Sequence, residues 1–288
     1  MNDQVANWRD WLKALPLYLL PHHGISRLVY RLSRWETRHK DPVARWFIRR
    51  YGLDMSEAVE SDPGRYASFN HLFTRALKPG ARPLDPAPDT LISPADSRVS
   101  QLGRIQDGQL IQAKGHAYSA TALLGGDPDL AAPFADGHFI TLYLSPRDYH
   151  RIHMPWNGTL RESVYVPGRL FSVAPFTVRT VPGLFARNER LACLFETDFG
   201  PMAMVLVGAI NVASIETVWA GEVTPRSPRT PCRWDHRDNP PTLARGEEMG
   251  RFNLGSTVIL LLPEQVSGWL PALAPGQAVR MGQALARR

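Results

Sequence analysis

From about Thr90 onward the sequence is punctuated by Gly, Pro and Asp, and between them lie short runs of β-branched, aliphatic and aromatic residues: 139–144, 192–196, 202–207, 215–219 and 257–262. Runs of five or six residues are too short to be useful helices. They can be buried together only as strands joined by turns. This texture predicts a mainly β region over residues 61–288, mostly antiparallel and sandwich-like or barrel-like. Residues 223–245, rich in Pro and Arg, read as a surface loop, and residues 54–95 as irregular chain with one short helix near 69–77.

The first fifty residues have a different texture. Trp8, Trp11, Leu12, Leu15 and Leu19 recur at spacings of three and four, although Pro16 should kink or end that helix. A second stripe holds Ile25, Leu28, Val29 and Leu32, with Arg27, Arg31, Arg34 and Arg38 on another face. A third helix is expected from Asp41 as cap and Pro42 as first residue, carrying Val43, Trp46 and Phe47 beside Arg45 and Arg49. The class is therefore α+β, with an amphipathic helical region over 1–60 preceding the β-rich domain.

Composition narrows the partners. The formal net charge is +6, and residues 1–50 hold all of that excess, ten Lys/Arg against four acids. Basic helices with Trp and broad apolar faces suit an anionic lipid surface, where each basic residue contributes about 1 kcal/mol. Packing of the same stripes onto the rest of the protein accounts for them equally well. Nucleic acid is disfavoured, because the arginines accompany apolar faces and no RNP, KH or zinc-finger signature is present. Cys193 and Cys232 are in no CxxC or Cys/His spacing, so neither a disulfide framework nor a zinc site is indicated, and a reducing compartment fits. No run approaches the roughly 18–20 apolar residues of a membrane span, so neither a spanning helix nor a cleaved signal peptide is expected.

Three segments carry chemistry: SPADS (93–97), SPRDYHRIHMP (145–155) and GRFNLGSTVILLL (250–262). They offer Asp96, His150, His153 and Ser256, the residue types of a nucleophile, a base and an orienting carboxylate. The hydrolase pattern GxSxG is absent, since Leu254 and Val258 stand where it requires glycines. His150 and His153 lack a third metal ligand at a recognisable spacing, so no metal site is expected. Taken alone, Gly255-Ser256-Thr257 is a turn entering a buried strand.

LGST opening such a strand, preceded by GEEMGRF, resembles the processing motif of bacterial phosphatidylserine decarboxylases. SPAD, QAKGHAYS, YLSPRDYHRIHMPWNG, VPGRLFSV, LFARNERLACLF and SIETVWAGEVTP are similar, in that order, to the signature blocks of the family over residues 65–262. The resemblance implies self-cleavage between Gly255 and Ser256, with Ser256 becoming a covalent pyruvoyl cofactor. It further implies that Asp96 and His153 assist the cut and that His150 serves decarboxylation. Phosphatidylserine at an anionic membrane surface would be the substrate, converted to phosphatidylethanolamine and carbon dioxide. The protein would then be a peripheral enzyme on the cytoplasmic face of the inner membrane. It would consist of two associated fragments, 1–255 and 256–288, with relatives suggesting further dimerisation. Ser97 departs from the pattern, where glycine is expected after the Asp.

The residue types suit that chemistry. Ser256 Oγ must attack the carbonyl of Gly255, and a glycine there removes a Cβ that would hinder an unusual backbone and the approach. A histidine can exchange protons near neutrality, and Asp96 is expected to fix the tautomer of His153. Thr257 is read as the start of the strand. Arg169, Phe171 and Phe176 fit either a headgroup entry or a plain loop, and Trp219 and Glu216 the core. Two rival readings make different demands: a serine hydrolase using Asp96, His153 and Ser256 requires an intact chain, and a non-enzymatic membrane-binding protein requires no turnover.

Overall fold

The computed structural model describes residues 5–210, 214–224, 230–255 and 257–288, so Ser256 lies outside the described residues. Helix α1 (Trp8–Leu19) starts at a reciprocal cap: Asn7 Oδ1 accepts from the Asp10 amide, and the Asp10 carboxylate accepts from the Asn7 amide. Pro16 does not end the helix, which runs on to Leu19. Tertiary anchors offset the missing N–H: Asp10 pairs with Arg179 at 3.0 Å, and Tyr18 packs on Phe171. Helix α2 spans His22–Arg34. Helix α3 (Lys40–Tyr51) stops at Gly52, whose φ of 67° is left-handed and whose amide caps the Ile48 carbonyl.

These helices turn small and polar residues inward. Asp10, Ala14, His22, Ser26, Ser33 and Ala44 are buried, and of the expected stripe residues only Phe47 is. Trp8, Leu12, Leu15, Leu19, Leu28, Leu32, Val43 and Trp46 are all exposed, Leu19 to 88%. Hence most of each apolar stripe faces outward, and the helices are attached by a few apolar contacts, such as Phe47 on Phe73 and Tyr18 on Phe171, together with polar ones, including Arg34 and Tyr30 to Glu222 and His23 Nε2 to the Gly168 carbonyl.

A fourth helix, α4 (Phe69–Phe73), is shorter than the 69–77 expected. The Thr74 hydroxyl donates to the Asn70 carbonyl and the chain leaves the helix there.

The main sheet is antiparallel throughout and runs Cys232–Asp235, Gly158–Val166, Arg190–Thr197, Gly200–Val207, Thr257–Leu262, His138–Tyr143, Ser97–Arg104, Ala278–Val279. Its order does not return on itself, so the fold is an open α+β arrangement rather than a closed barrel. All five runs expected as strands are strands, with 215–219 shortened to Ile215–Thr217. The expected loop at 223–245 contains two edge strands, Cys232–Asp235 and Thr242–Leu243, both paired to Gly158–Val166. Their alternation of exposed and half-buried residues carries too little hydrophobicity to stand out.

Thr257–Leu262 lies at the centre with every residue fully buried, as a strand covered on both faces requires. Its first residue pairs with Tyr143 on one side and Val207 on the other. A smaller sheet, ordered Gly221–Glu222, Ile215–Thr217, Glu248–Phe252, Arg151–His153, brings the histidine segment beside the chain that leads into the central strand.

Candidate active site

Three loops meet at the N-terminal end of the central strand. The His153 amide donates to the Pro94 carbonyl, tying the segment that holds Asp96 to the histidines. The Phe252 amide donates to the His150 carbonyl, placing residues 253–255 against them. Asn253 anchors this last loop: its amide side chain donates to Ser214 Oγ at 2.6 Å and accepts from Asn70 at 2.9 Å, all buried.

His150 has no solvent exposure. The turn that carries it is set by Asp148, which accepts from both the amide and the hydroxyl of Ser145 at 2.7 Å. His150 Nδ1 lies 2.8 Å from the Asp148 carbonyl. A carbonyl can only accept, so Nδ1 carries the proton and Nε2 presents a bare lone pair. That Nε2 has no hydrogen-bond partner among the described residues and stands 3.8 Å from where a Cβ on Gly255 would be. Phe73 stacks on the ring at 4.1 Å. Burial, against the Asp148 hydrogen bond and aided by the charge of Arg75, pushes the His150 pKa down to about 3. The ring is neutral in this setting.

His153 is also buried, and burial lowers its pKa. Its Nδ1 donates to the Gly246 carbonyl at 2.8 Å, and Nε2 accepts from the Tyr149 hydroxyl at 3.1 Å. Asp96 therefore does not set the His153 tautomer, contrary to the sequence expectation. The Asp96 carboxylate is engaged by Arg82, with Nε at 2.8 and 3.0 Å and Nη2 at 2.5 Å, and by the Met281 amide at 2.9 Å. Arg82 bridges onward to Glu57 at 2.8 Å, and the two carboxylates raise its pKa, so it remains charged. The effect of Asp96 on His153 is electrostatic, favouring the protonated ring from a distance. The carboxylate–histidine contact of a hydrolase triad is not formed.

Gly255 does not behave as expected either. Its φ is not left-handed, and a Cβ there would meet only ordinary contacts at 3.8 Å. The unusual backbone belongs to its neighbour: Leu254 has φ 99°, a region that non-glycine residues rarely occupy, and its side chain is held among Phe47, Leu53 and Phe73. Thr257 begins the strand as read, fully buried and with Oγ1 unpartnered among the described residues.

Two cavities flank this point. One, of about 270 Å³, is mainly apolar and is bordered by Phe47, Tyr51, Phe73, Val173, Leu254 and Gly255. The other, of about 370 Å³, is polar and includes Arg75, Arg82, Asp96, Asp148 and Tyr149, and Tyr143 borders both. Phe171 is not at an entry: it is buried beneath Tyr18 and His22, and residues 172–174 border the apolar cavity in its place. Trp219 packs on Phe195, and Glu216 pairs with Arg251.

Among the described residues no cluster of His, Cys, Asp and Glu could hold a metal ion. His150 Nε2 beside Gly255 and Thr257 Oγ1 at the start of the central strand have no hydrogen-bond partner among the described residues. Sequence reasoning missed Phe73, Tyr149, Arg82 and Gly246. Only Tyr149 had a local signal, its position within the histidine segment.

A family model described as phosphatidylserine decarboxylase matches residues 69–287, and a second, described as PSD, matches 12–52. Curated relatives share most of their length with the chain. A phosphatidylserine decarboxylase proenzyme of Alkalilimnicola ehrlichii is 60% identical over 262 residues, 90% of this chain and 91% of the relative. Proteins of the same description from Pseudomonas entomophila and Bordetella pertussis are 59% and 56% identical, covering 93% and 97% of this chain and 95% of each relative.

Proposed function

The chain belongs to the phosphatidylserine decarboxylase family, and from that premise we propose that it cuts itself between Gly255 and Ser256 and works through a pyruvoyl group formed from Ser256. It is a carboxy-lyase that converts phosphatidylserine to phosphatidylethanolamine and carbon dioxide. The observation that supports the assignment of the site is the buried Nε2 of His150, without a hydrogen-bond partner among the described residues and 3.8 Å from where a Cβ on Gly255 would be.

In the cut, Ser256 Oγ attacks the Gly255 carbonyl and the amide becomes an ester. A base removes the Ser256 α-proton, the ester leaves as the Gly255 carboxylate, and the remaining dehydroalanine hydrolyses to pyruvoyl with release of ammonia. His153 and Tyr149 form the proton-handling pair for these transfers, and Asp96, held by Arg82, stabilises positive charge on His153 through space. The pyruvoyl ketone supplies an electron sink for the α-carbon of an amine substrate. His150 delivers the proton after carbon dioxide leaves. A substrate carboxylate brought into the pocket raises its depressed pKa and loads the ring for that task.

Residues 1–60 serve as the membrane-associating region, with the exposed Trp8, Leu12, Leu15, Leu19, Trp35 and Trp46 entering the interface and the arginines meeting anionic headgroups. No described helix is long and apolar enough to cross a membrane. We place the enzyme peripherally on the cytoplasmic face of the inner membrane, as two associated fragments that dimerise further. Mass spectrometry of the purified protein on a denaturing gel tests the central reading. Fragments ending at Gly255 and beginning with a pyruvoyl-blocked residue 256 are expected, and Ser256→Ala should remain one chain. An active, uncut wild-type chain would overturn it.

A further inference from the structure

The polar cavity contains a cation that the proposed chemistry does not use. Arg75 is buried, with 5% of its surface exposed, and it borders the cavity two residues beyond Phe73. Among the described residues no carboxylate pairs with it. Its sole partner is the Arg147 carbonyl at 3.4 Å from Nη2, while Nε and Nη1 have none. The neighbouring acids are already engaged: Asp96 and Glu57 by Arg82, Asp148 by Ser145, and Asp54 by Ser56. A buried guanidinium with no carboxylate in direct contact is costly, and burial lowers its pKa although Asp96 and Glu57 still favour its charge from a distance. Retaining a charge at such a site makes sense when an anion arrives to complete it. Beside the four acids just named, Arg98, Arg147 and Arg280 border the cavity with Arg75 and Arg82, so five cations face four carboxylates there.

We infer that Arg75 is the centre of an oxyanion site for a phosphate group, and that its occupant during turnover is the phosphodiester of the lipid substrate. This inference rests on the decarboxylase reading above. The planar fork of an arginine suits two phosphate oxygens. The other anion of the substrate, its carboxylate, is the poorer occupant: it leaves as carbon dioxide, whereas the phosphodiester persists unchanged from substrate to product and can anchor the headgroup throughout. Position agrees with this assignment. Phe73, two residues before Arg75, stacks on His150, and the charge of Arg75 is felt at that ring. Phosphate and amine are only a few bonds apart in a serine headgroup, so an anchor on Arg75 would hold the amine on the side of Phe73 and His150.

The test compares wild type, Arg75→Gln and Arg75→Lys. A denaturing gel first scores the cut. Steady-state kinetics on phosphatidylserine in mixed micelles and titration calorimetry with inorganic phosphate follow. Arg75→Gln should raise KM at least tenfold with kcat changed by less than about threefold, and weaken phosphate binding by about tenfold or more, as expected for a lost charged hydrogen bond. Arg75→Lys should fall between. Weakened phosphate binding with an unchanged KM would assign the site to free phosphate and overturn the substrate assignment. Unchanged values of both in a fully cut Arg75→Gln protein would overturn the site itself. Loss of folding in both variants would make Arg75 a structural residue and equally overturn it. Should the wild-type chain prove uncut, the decarboxylase mechanism fails by itself, and phosphate titration of the intact chain still decides on the anion site.

Discussion

Replacing Leu254 by glycine and, in parallel, by alanine separates two contributions of the residue before the proposed cut. Leu254 holds φ at 99° while its side chain packs with Phe47, Leu53 and Phe73. Such a backbone costs a non-glycine residue on the order of 1–3 kcal/mol, and the packing keeps it there. Alanine retains the backbone penalty and removes the packing, so the folded protein should lose about 2–5 kcal/mol of stability. Glycine removes both. If the strain raises the starting state of the acyl shift, relieving it slows self-cleavage by roughly five- to hundredfold relative to alanine. The chain would be synthesised in a cell-free system at a temperature where both variants are folded by circular dichroism, then sampled in time on denaturing gels. A glycine variant that cuts as fast as the alanine variant, or faster, would show that the Leu254 backbone plays no part in the reaction.

Two further expectations concern the histidines. His150 binds a proton only near pH 3 in the folded state and near 6.5 when unfolded, so its contribution to stability is complete above pH 6.5 and declines as pH falls towards 3. At pH 4.5 that loss is about 2–3 kcal/mol. Burial of His153 adds in the same direction, and the raised pKa of Asp148 partly opposes it. Urea unfolding at pH 7.5 and 4.5 should show a shallower pH dependence in His150→Phe than in wild type; equal slopes would mean that His150 is not held neutral. Tyr149→Phe deletes the hydroxyl on His153 Nε2 and should slow self-cleavage about two- to tenfold, the worth of one such hydrogen bond. An unaltered rate would dissociate Tyr149 from proton handling.

Elements were legible in the sequence where a local pattern sufficed. Residues 257–262, an unbroken run of β-branched and aliphatic residues, read as a buried strand, and its central place, with cover on both faces, came from the structure. The helices of the first fifty residues were equally evident, but their orientation was not. Which face turned inward depended on partners such as Arg179, Gly168 and Glu222, more than a hundred positions away. The site divides in the same way. The spacing of His150 and His153 marks them as a pair, but the groups that determine their tautomers are the Asp148 carbonyl, two residues off, and the Gly246 carbonyl, 93 residues off. Asp96 looked like the natural partner of His153 because Arg82, which claims its carboxylate, comes from an irregular stretch with no pattern of its own.

The place of Thr257–Leu262 at the middle of the main sheet has a consequence for the life of the protein after the proposed cut. The short fragment would be a wedge between Gly200–Val207 and His138–Tyr143, with its tail also paired to Thr90–Ile92 and its Met281 amide holding Asp96. Two pieces interleaved in this way cannot drift apart without dismantling the core. Once unravelled, they would have to find each other by diffusion. Maturation would thus be a ratchet: the sheet must be complete before the bond is broken, and a matured molecule that later unfolds could regain its shape only through a second-order encounter, at a rate set by concentration.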